Sequence, residues 1–204
     1  MINYSFIIPH HNGPILLNRL LDSIPQRKDI EIIVVDDNSD ELKRPKITRS
    51  DVQIIYISEA NSKGAGHARN IGLEKAKGQW LLFADSDDCY VEGFVDELDK
   101  YLESEVDIVF FNAYIGYNNT KPYEVKIPNF FDIIYKDFEE SKKTDFDLHK
   151  MAMMASYPWN KMIKRSFLKS INACFEEVPI GNDTWFSNYV GSKITSAYIL
   201  NKKI

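Results

Sequence analysis

Cysteine is scarce in this sequence. Cys89 and Cys174 are the only two in 204 residues, so at most one disulfide could form and a disulfide scaffold is excluded. Two thiols suit a reducing compartment, and no paired spacing suggests zinc. Long apolar runs are missing as well: runs such as residues 32–35 and 80–84 stop after four or five positions, far short of the ~20 needed to cross a bilayer. The N-terminus, Met1-Ile2-Asn3-Tyr4, lacks the basic region of a signal peptide, which makes cytoplasmic residence the default expectation. An excess of basic residues is also absent. With 25 Lys+Arg against 30 Asp+Glu the net charge is −5, which argues against a general nucleic-acid binder.

What remains is an ordinary globular composition, 44% apolar and 27% charged, in a length suited to one domain. Through residue 111 short β-rich runs alternate with helical stretches, the pattern of a parallel sheet with crossover helices. Strands are expected at residues 5–9, 31–35, 52–57, 79–84 and 107–111. Helices are expected at 14–24, 65–77 and 91–103, the first burying Ile15, Leu16, Leu20, Leu21 and Ile24. Beyond Asn112 the pattern loosens: residues 114–127 read as a hairpin, 145–155 and 183–190 as helices, and 161–168 stay ambiguous. The fold class is α/β, and such sheets bind ligands at the carboxyl ends of their strands.

Acidic residues gather at those ends. The second strand runs into Val35-Asp36-Asp37-Asn38-Ser39-Asp40 and the fourth into Ala84-Asp85-Ser86-Asp87-Asp88. Carboxylates so grouped need a cation or hydrogen-bond donors, and an Asp-x-Asp pair suits Mg²⁺ or Mn²⁺ shared with a diphosphate. Asp also favours turns and helix N-caps. That role is preferred for Asp40 and Asp88, and ligand binding for Asp36, Asp37, Asp85 and Asp87. Between the clusters lies Asn61-Ser62-Lys63-Gly64-Ala65-Gly66-His67-Ala68-Arg69-Asn70-Ile71-Gly72. Its glycines could admit an anion at a helix N-terminus, but Arg69 stands where a dinucleotide fingerprint needs a third glycine. Arg69 itself could contact a nucleotide or pair with an Asp. His10 and His11 read as turn residues, His67 and His149 as surface or satisfied polar groups, and Met151, Met153 and Met154 as core.

Taken in order, Phe6-Ile7-Ile8-Pro9-His10-His11-Asn12, Ile33-Val34-Val35-Asp36-Asp37-Asn38-Ser39, the 61–72 segment and Trp80-Leu81-Leu82-Phe83-Ala84-Asp85-Ser86-Asp87-Asp88 resemble the family 2 glycosyltransferases. These are inverting enzymes of GT-A fold that use a nucleotide-diphospho-sugar. Trp159-Asn160-Lys161-Met162 and Gly181-Asn182-Asp183-Thr184-Trp185-Phe186 are similar to later family segments. The resemblance implies one GT-A domain over residues 1–204, with 1–111 binding the nucleotide-sugar and 112–204 the acceptor. It implies that Pro9 and Asp37, with Asp36 beside them, contact the uracil or ribose of a UDP-sugar and that Arg69 lies against the base. Asp85, Ser86 and Asp87 would belong to the donor site, with Asp87 and Asp85 holding a divalent metal, Mn²⁺ or Mg²⁺. Asp183 matches the catalytic base, although Asn182 stands where the family commonly has Glu. An N-cap role for Asp183 is the local alternative.

The partners implied are a nucleotide-sugar and a glycan or lipid-linked acceptor, as in surface polysaccharide synthesis, at the inner face of the membrane. Two other readings remain: a nucleotidyltransferase, and a nucleotide-sugar-binding module without catalysis. The short stretch after Asp183 leads us to expect a C-terminally trimmed chain or a minimal member.

Overall fold

The computed structural model describes residues 1–113, 130–178 and 180–204. The expected hairpin at 114–127 lies outside them. Seven strands form one mixed sheet in the order β3-β2-β1-β4-β6-β5-β7. They are β1 (Tyr4–His10), β2 (Ile30–Asp37), β3 (Val52–Ile57), β4 (Trp80–Phe83), β5 (Ile108–Asn112), β6 (Lys161–Lys164) and β7 (Ala197–Lys203). The helices are α1 (Pro14–Ser23), α2 (Ala65–Lys75), α3 (Phe94–Asp99), α4 (Phe130–Glu140), α5 (Asp145–Met154), α6 (Arg165–Ser170) and α7 (Asn182–Lys193).

All strands are parallel except β6, which runs antiparallel between β4 and β5. Thus β5 does not adjoin β4, and the second half of the chain supplies two strands of the same sheet. Central strands are buried almost throughout because both faces are covered. Alternation divides them: Ile7, Ile33, Leu81 and Ile163 point into one core with α5 and α7, whereas Phe6, Ile32, Leu82 and Met162 point into the other with α1 and α3.

Several expectations need correction. Helix α1 buries Leu17, Leu20, Leu21 and Ile24, while Ile15 is 83% exposed; Leu16 faces a surface cleft. The apolar stripe is therefore shifted by one position, which the run Ile15-Leu16-Leu17 leaves open. The third helix starts only at Phe94, after Gly93 takes φ +74°, a left-handed value suited to glycine. Neither α4 nor β7 was foreseen, and the ambiguous 161–168 stretch divides into β6 and α6. His10 is the buried last residue of β1, not a turn residue. Met151 is core, but Met153 is exposed.

Lys161 opens β6 with its side chain buried in the sheet. Its Nζ donates to the Ala155 carbonyl at 2.6 Å and lies 5.2 Å from the centre of the Phe110 ring. Burial disfavours the charged ammonium and lowers its pKa from 10.5 to about 7. Between those values the unfolded chain binds a proton that the folded chain does not, so stability rises with pH over that window. Denaturant midpoints measured from pH 7 to 10 should climb in the wild type, and the climb should flatten in Lys161→Met.

Candidate functional site

The strand order reverses direction at β1, which has β2 on one side and β4 on the other. Ligands of open α/β sheets bind at such a switch point, beyond the carboxyl ends of the strands. A cleft of about 640 Å³ lies there, and its lining includes Pro9, Asp37, Gly64, Arg69, Asp85, Ser86 and Asp87. Six of the eight residues expected from the sequence, Pro9, Asp37, Arg69, Asp85, Ser86 and Asp87, therefore gather along its lining; Asp36 and Asp183 are not among the lining residues, and Asp183 lies in the first turn of α7.

Asp36 is 1% exposed and serves the floor. Parallel pairing sets His10 opposite Asp36, and His10 Nδ1 lies 2.6 Å from Asp36 Oδ1. Because the Gly13 N–H donates to His10 Nε2 at 3.1 Å, Nε2 is the acceptor nitrogen and Nδ1 carries the proton given to Asp36. Ser39 adds two donations to the same carboxylate, from its hydroxyl at 2.5 Å and its N–H at 3.2 Å. Asn12 and Asn38 take left-handed φ values of 57° and 58°, which Asn tolerates well. Asn12 then links the loops after β1 and β2: its N–H donates to Ser39 Oγ at 2.8 Å, and its Oδ1 accepts from the Asp40 N–H at 2.8 Å.

Asp37, next along β2, faces the other way. Its Oδ2 accepts from the Gly64 N–H at 2.8 Å, where Gly64 holds φ +86° at the start of α2. Its Oδ1 is buried and has no partner. A buried, unpartnered carboxylate oxygen in a cleft wall is costly unless a ligand supplies a donor.

Arg69 forms the opposite wall. Nη2 donates to Asp85 Oδ1 at 2.6 Å and Nη1 to Asn182 Oδ1 at 2.8 Å. The guanidinium carbon lies 5.4 Å from the centre of the Phe175 ring, and Nε is buried without a partner. Arg69 thus pairs with an Asp, one of the two uses expected of it, and lines the cleft. Its bond to Asn182 was not foreseen: 113 residues separate the two, and no local signal reports such a contact.

After β4 the chain carries Asp85, Ser86 and Asp87 past the cleft. Desolvation, then the nearby carboxylates of Asp85 and Asp87, push the Asp88 carboxyl up to about 6, with Arg19 opposing. Among the described residues, no three His, Cys, Asp or Glu side chains are grouped to cage a metal ion. Two adjacent cleft carboxylates fit a hard cation held partly by the oxygens of a diphosphate, not a metal caged by protein alone. Asp183 sits in the first turn of α7, half-buried, its Oδ1 accepting from the Thr184 N–H at 2.9 Å. The helix is preceded by Gly181 at φ +84° with no side-chain cap, so Asp183 does not act as the N-cap. It adjoins Asn182, which Arg69 ties to Asp85.

Replacing Asp36 with Ala would leave buried donors of His10 and Ser39 unpaired. A loss of about 2–4 kcal/mol in unfolding free energy is expected, read from urea denaturation.

A family model described as glycosyl transferase family 2 matches residues 5–169. The chain is 28% identical over 210 residues to glycosyltransferase GlyA of Streptococcus pneumoniae, covering 97% of this chain and 28% of that protein. It is 32% identical over 197 residues to the GalNAc(5)-diNAcBac-PP-undecaprenol beta-1,3-glucosyltransferase of Campylobacter jejuni, covering 93% of this chain and 60% of that one. The chain thus spans less than two thirds of the length of these curated relatives. Among solved structures, Staphylococcus aureus TarS 1-349 in complex with UDP superposes with a TM-score of 0.73 at 21% identity, over 99% of this chain and 59% of that one. That likeness shows the GT-A fold. The family model, spanning most of the sequence and both strand-end acidic clusters, establishes that this chain belongs to glycosyl transferase family 2.

Proposed function

We propose that the chain transfers a sugar, with inversion, from a UDP-sugar to a hydroxyl of a lipid-linked or glycan acceptor. The observation that carries this reading is Asp37 Oδ1, buried and unpartnered in the cleft wall. A carboxylate only accepts hydrogen bonds, so it calls for a donor such as a base N–H. The N3–H of uracil meets that need, whereas cytosine presents an acceptor at the same position. Arg69 lines the cleft with a buried donor, Nε, still unpaired, which suits a carbonyl oxygen of the base. The UDP bound in the structurally similar TarS and the undecaprenol-linked acceptor named for the Campylobacter relative support the same assignment.

In this reading Pro9 and Asp37 border the base and ribose, and Asp85, Ser86 and Asp87 border the diphosphate. Asp85 and Asp87 would hold Mn²⁺ or Mg²⁺, which supplies Lewis-acid stabilisation of the leaving diphosphate's charge. Asp183 takes the proton from the acceptor hydroxyl as its oxygen attacks the anomeric carbon. The new C–O bond forms as the bond to the β-phosphate oxygen breaks, and UDP leaves with that electron pair. One in-line displacement inverts the centre and needs no protein nucleophile. A lipid-linked acceptor places the reaction at a membrane surface, read here as the cytoplasmic inner face. Among the described residues no helix is long and apolar enough to cross a membrane. The nucleotidyltransferase alternative finds no support where β1 ends and gives way to α1, since Pro9-His10-His11-Asn12-Gly13-Pro14 holds no Lys or Arg to grip a triphosphate.

The test is UDP release from a panel of UDP-sugars with Mn²⁺, with and without undecaprenyl-diphosphate-linked sugar acceptors. One donor should turn over, and activity should vanish with EDTA and in Asp87→Ala. Pyrophosphate release from a nucleoside triphosphate would instead favour the nucleotidyltransferase, and binding without turnover the module. Asp183→Asn should lower transfer by roughly 10²–10⁴-fold with UDP affinity retained. Unchanged transfer would remove Asp183 from the base role. Asp37→Ala should weaken UDP binding by about 10–100-fold, from the ~1.5–3 kcal/mol of a charged hydrogen bond.

A further inference from the structure

Helix α2 is not amphipathic in the usual sense: its buried residues are Gly66, Ala68, Arg69 and Gly72, not a stripe of large apolar side chains. Its partners explain this composition. Gly66, His67 and Asn70 recur at helical spacing and so share one face; these residues, with Lys63 just before the helix, meet residues 175–177 ahead of α7. Lys63 Nζ and His67 Nδ1 both lie 2.7 Å from carboxylate oxygens of Glu177. A Cβ on Gly66 would stand 2.2 Å from the Glu176 carbonyl oxygen, so only glycine permits this approach. Asn70 makes the most specific contact. Its Nδ2 donates to the Phe175 carbonyl at 2.9 Å, and its Oδ1 accepts from the Phe175 N–H at 2.8 Å. The side-chain amide thus pairs both backbone groups of one residue, as a neighbouring strand would.

Phe175 is in turn fixed from the other side. Its ring stacks on Phe186 of α7, centroids 3.8 Å apart and planes 10° from parallel, and its face lies under the Arg69 guanidinium. Asn182 completes the arrangement through Nη1 of Arg69. The first turn of α7, which carries Asp183, therefore stands where α2 holds it. The start of α2 is tied to the donor cleft by the bond from the Gly64 N–H to Asp37.

We propose that Asn70 is a positioning residue for transfer: by locking Phe175 onto α2 it sets where α7, and Asp183 with it, stands against the donor cleft. Asn70 does not line that cleft, so its effect on turnover passes through Asp183 and not through the donor. The inference rests on Asp183 as the base. A small displacement of a reacting group can cost on the order of 100-fold in rate, while Asp37 is held by the Gly64 N–H and not by Phe175.

The experiment compares wild type, Asn70→Ala, Asn70→Asp and Asp183→Asn, using the UDP-sugar and acceptor that turn over in the panel assay. Asn70→Asp keeps the acceptor for the Phe175 N–H and loses the donor to its carbonyl, so it should fall between wild type and Asn70→Ala and remains usable if the alanine variant does not fold. In Asn70→Ala, hydrogen–deuterium exchange should quicken at residue 175 and at the start of α7. There kcat should fall by about tenfold or more, with KM for the UDP-sugar and Kd for UDP within about twofold. Unchanged exchange overturns the proposal, as does faster exchange with kcat within twofold of wild type. An equal loss of kcat and UDP affinity overturns it too, since that would mark a residue serving the donor site or the fold at large. If Asp183→Asn transfers normally, the base assignment fails, whereas an inactive Asp183→Asn beside a normal Asn70→Ala sinks only this inference.

Discussion

The Arg69 guanidinium is the point at which the two halves of the site meet. It is nearly enclosed, with one nitrogen on the Asp85 carboxylate and another on the Asn182 amide, and the Phe175 ring beneath it. A cation this buried needs partners that satisfy its donors. The partners it has come from the turn after β4 and from the start of α7, which the chain keeps almost 100 residues apart. The planar fork of arginine can serve both at fixed directions, which the single ammonium of lysine cannot do. The donor wall and the helix bearing Asp183 are thereby held at one distance by one side chain.

A second constraint lies under the cleft. Asp36 and Asp37 are adjacent in sequence but alternate across the sheet, so one can be structural while the other faces the ligand. Asp36 has His10 and Ser39 as donors and fixes the loops beyond β1 and β2. Asp37 gives one oxygen to Gly64, and its other oxygen is buried without a partner. The paired acids are thus not two ligands of one group.

Much of this was legible in the sequence. The first five strands and α1 and α2 follow from apolar runs and their spacing, and the acidic strand ends point to the cleft because open parallel sheets bind at those ends. The rest depends on contacts with no local signature. β6 is four residues flanked by lysines, and its place between β4 and β5 is decided by tertiary packing. The fixation of Asp36 by His10 depends on strand register, which adjacent histidines in sequence do not reveal. The low apolar content of α2 looks like a weak helix until Phe175, Glu176 and Glu177 are seen to dock on it. The shift in the buried face of α1, from Ile15 and Leu16 to Leu17, shows how three consecutive apolar residues leave the phase of a helix undetermined.

In the proposed function, Asp37 reads a base edge carrying an N–H at this cleft. Calorimetric titration with UDP and CDP in the presence of Mn²⁺ tests it most directly, because the two ligands differ in the donor or acceptor presented to that carboxylate. UDP is expected to bind and CDP to bind at least tenfold more weakly, a difference that disappears in Asp37→Ala. Equal affinity of the native protein for the two nucleotides would contradict it.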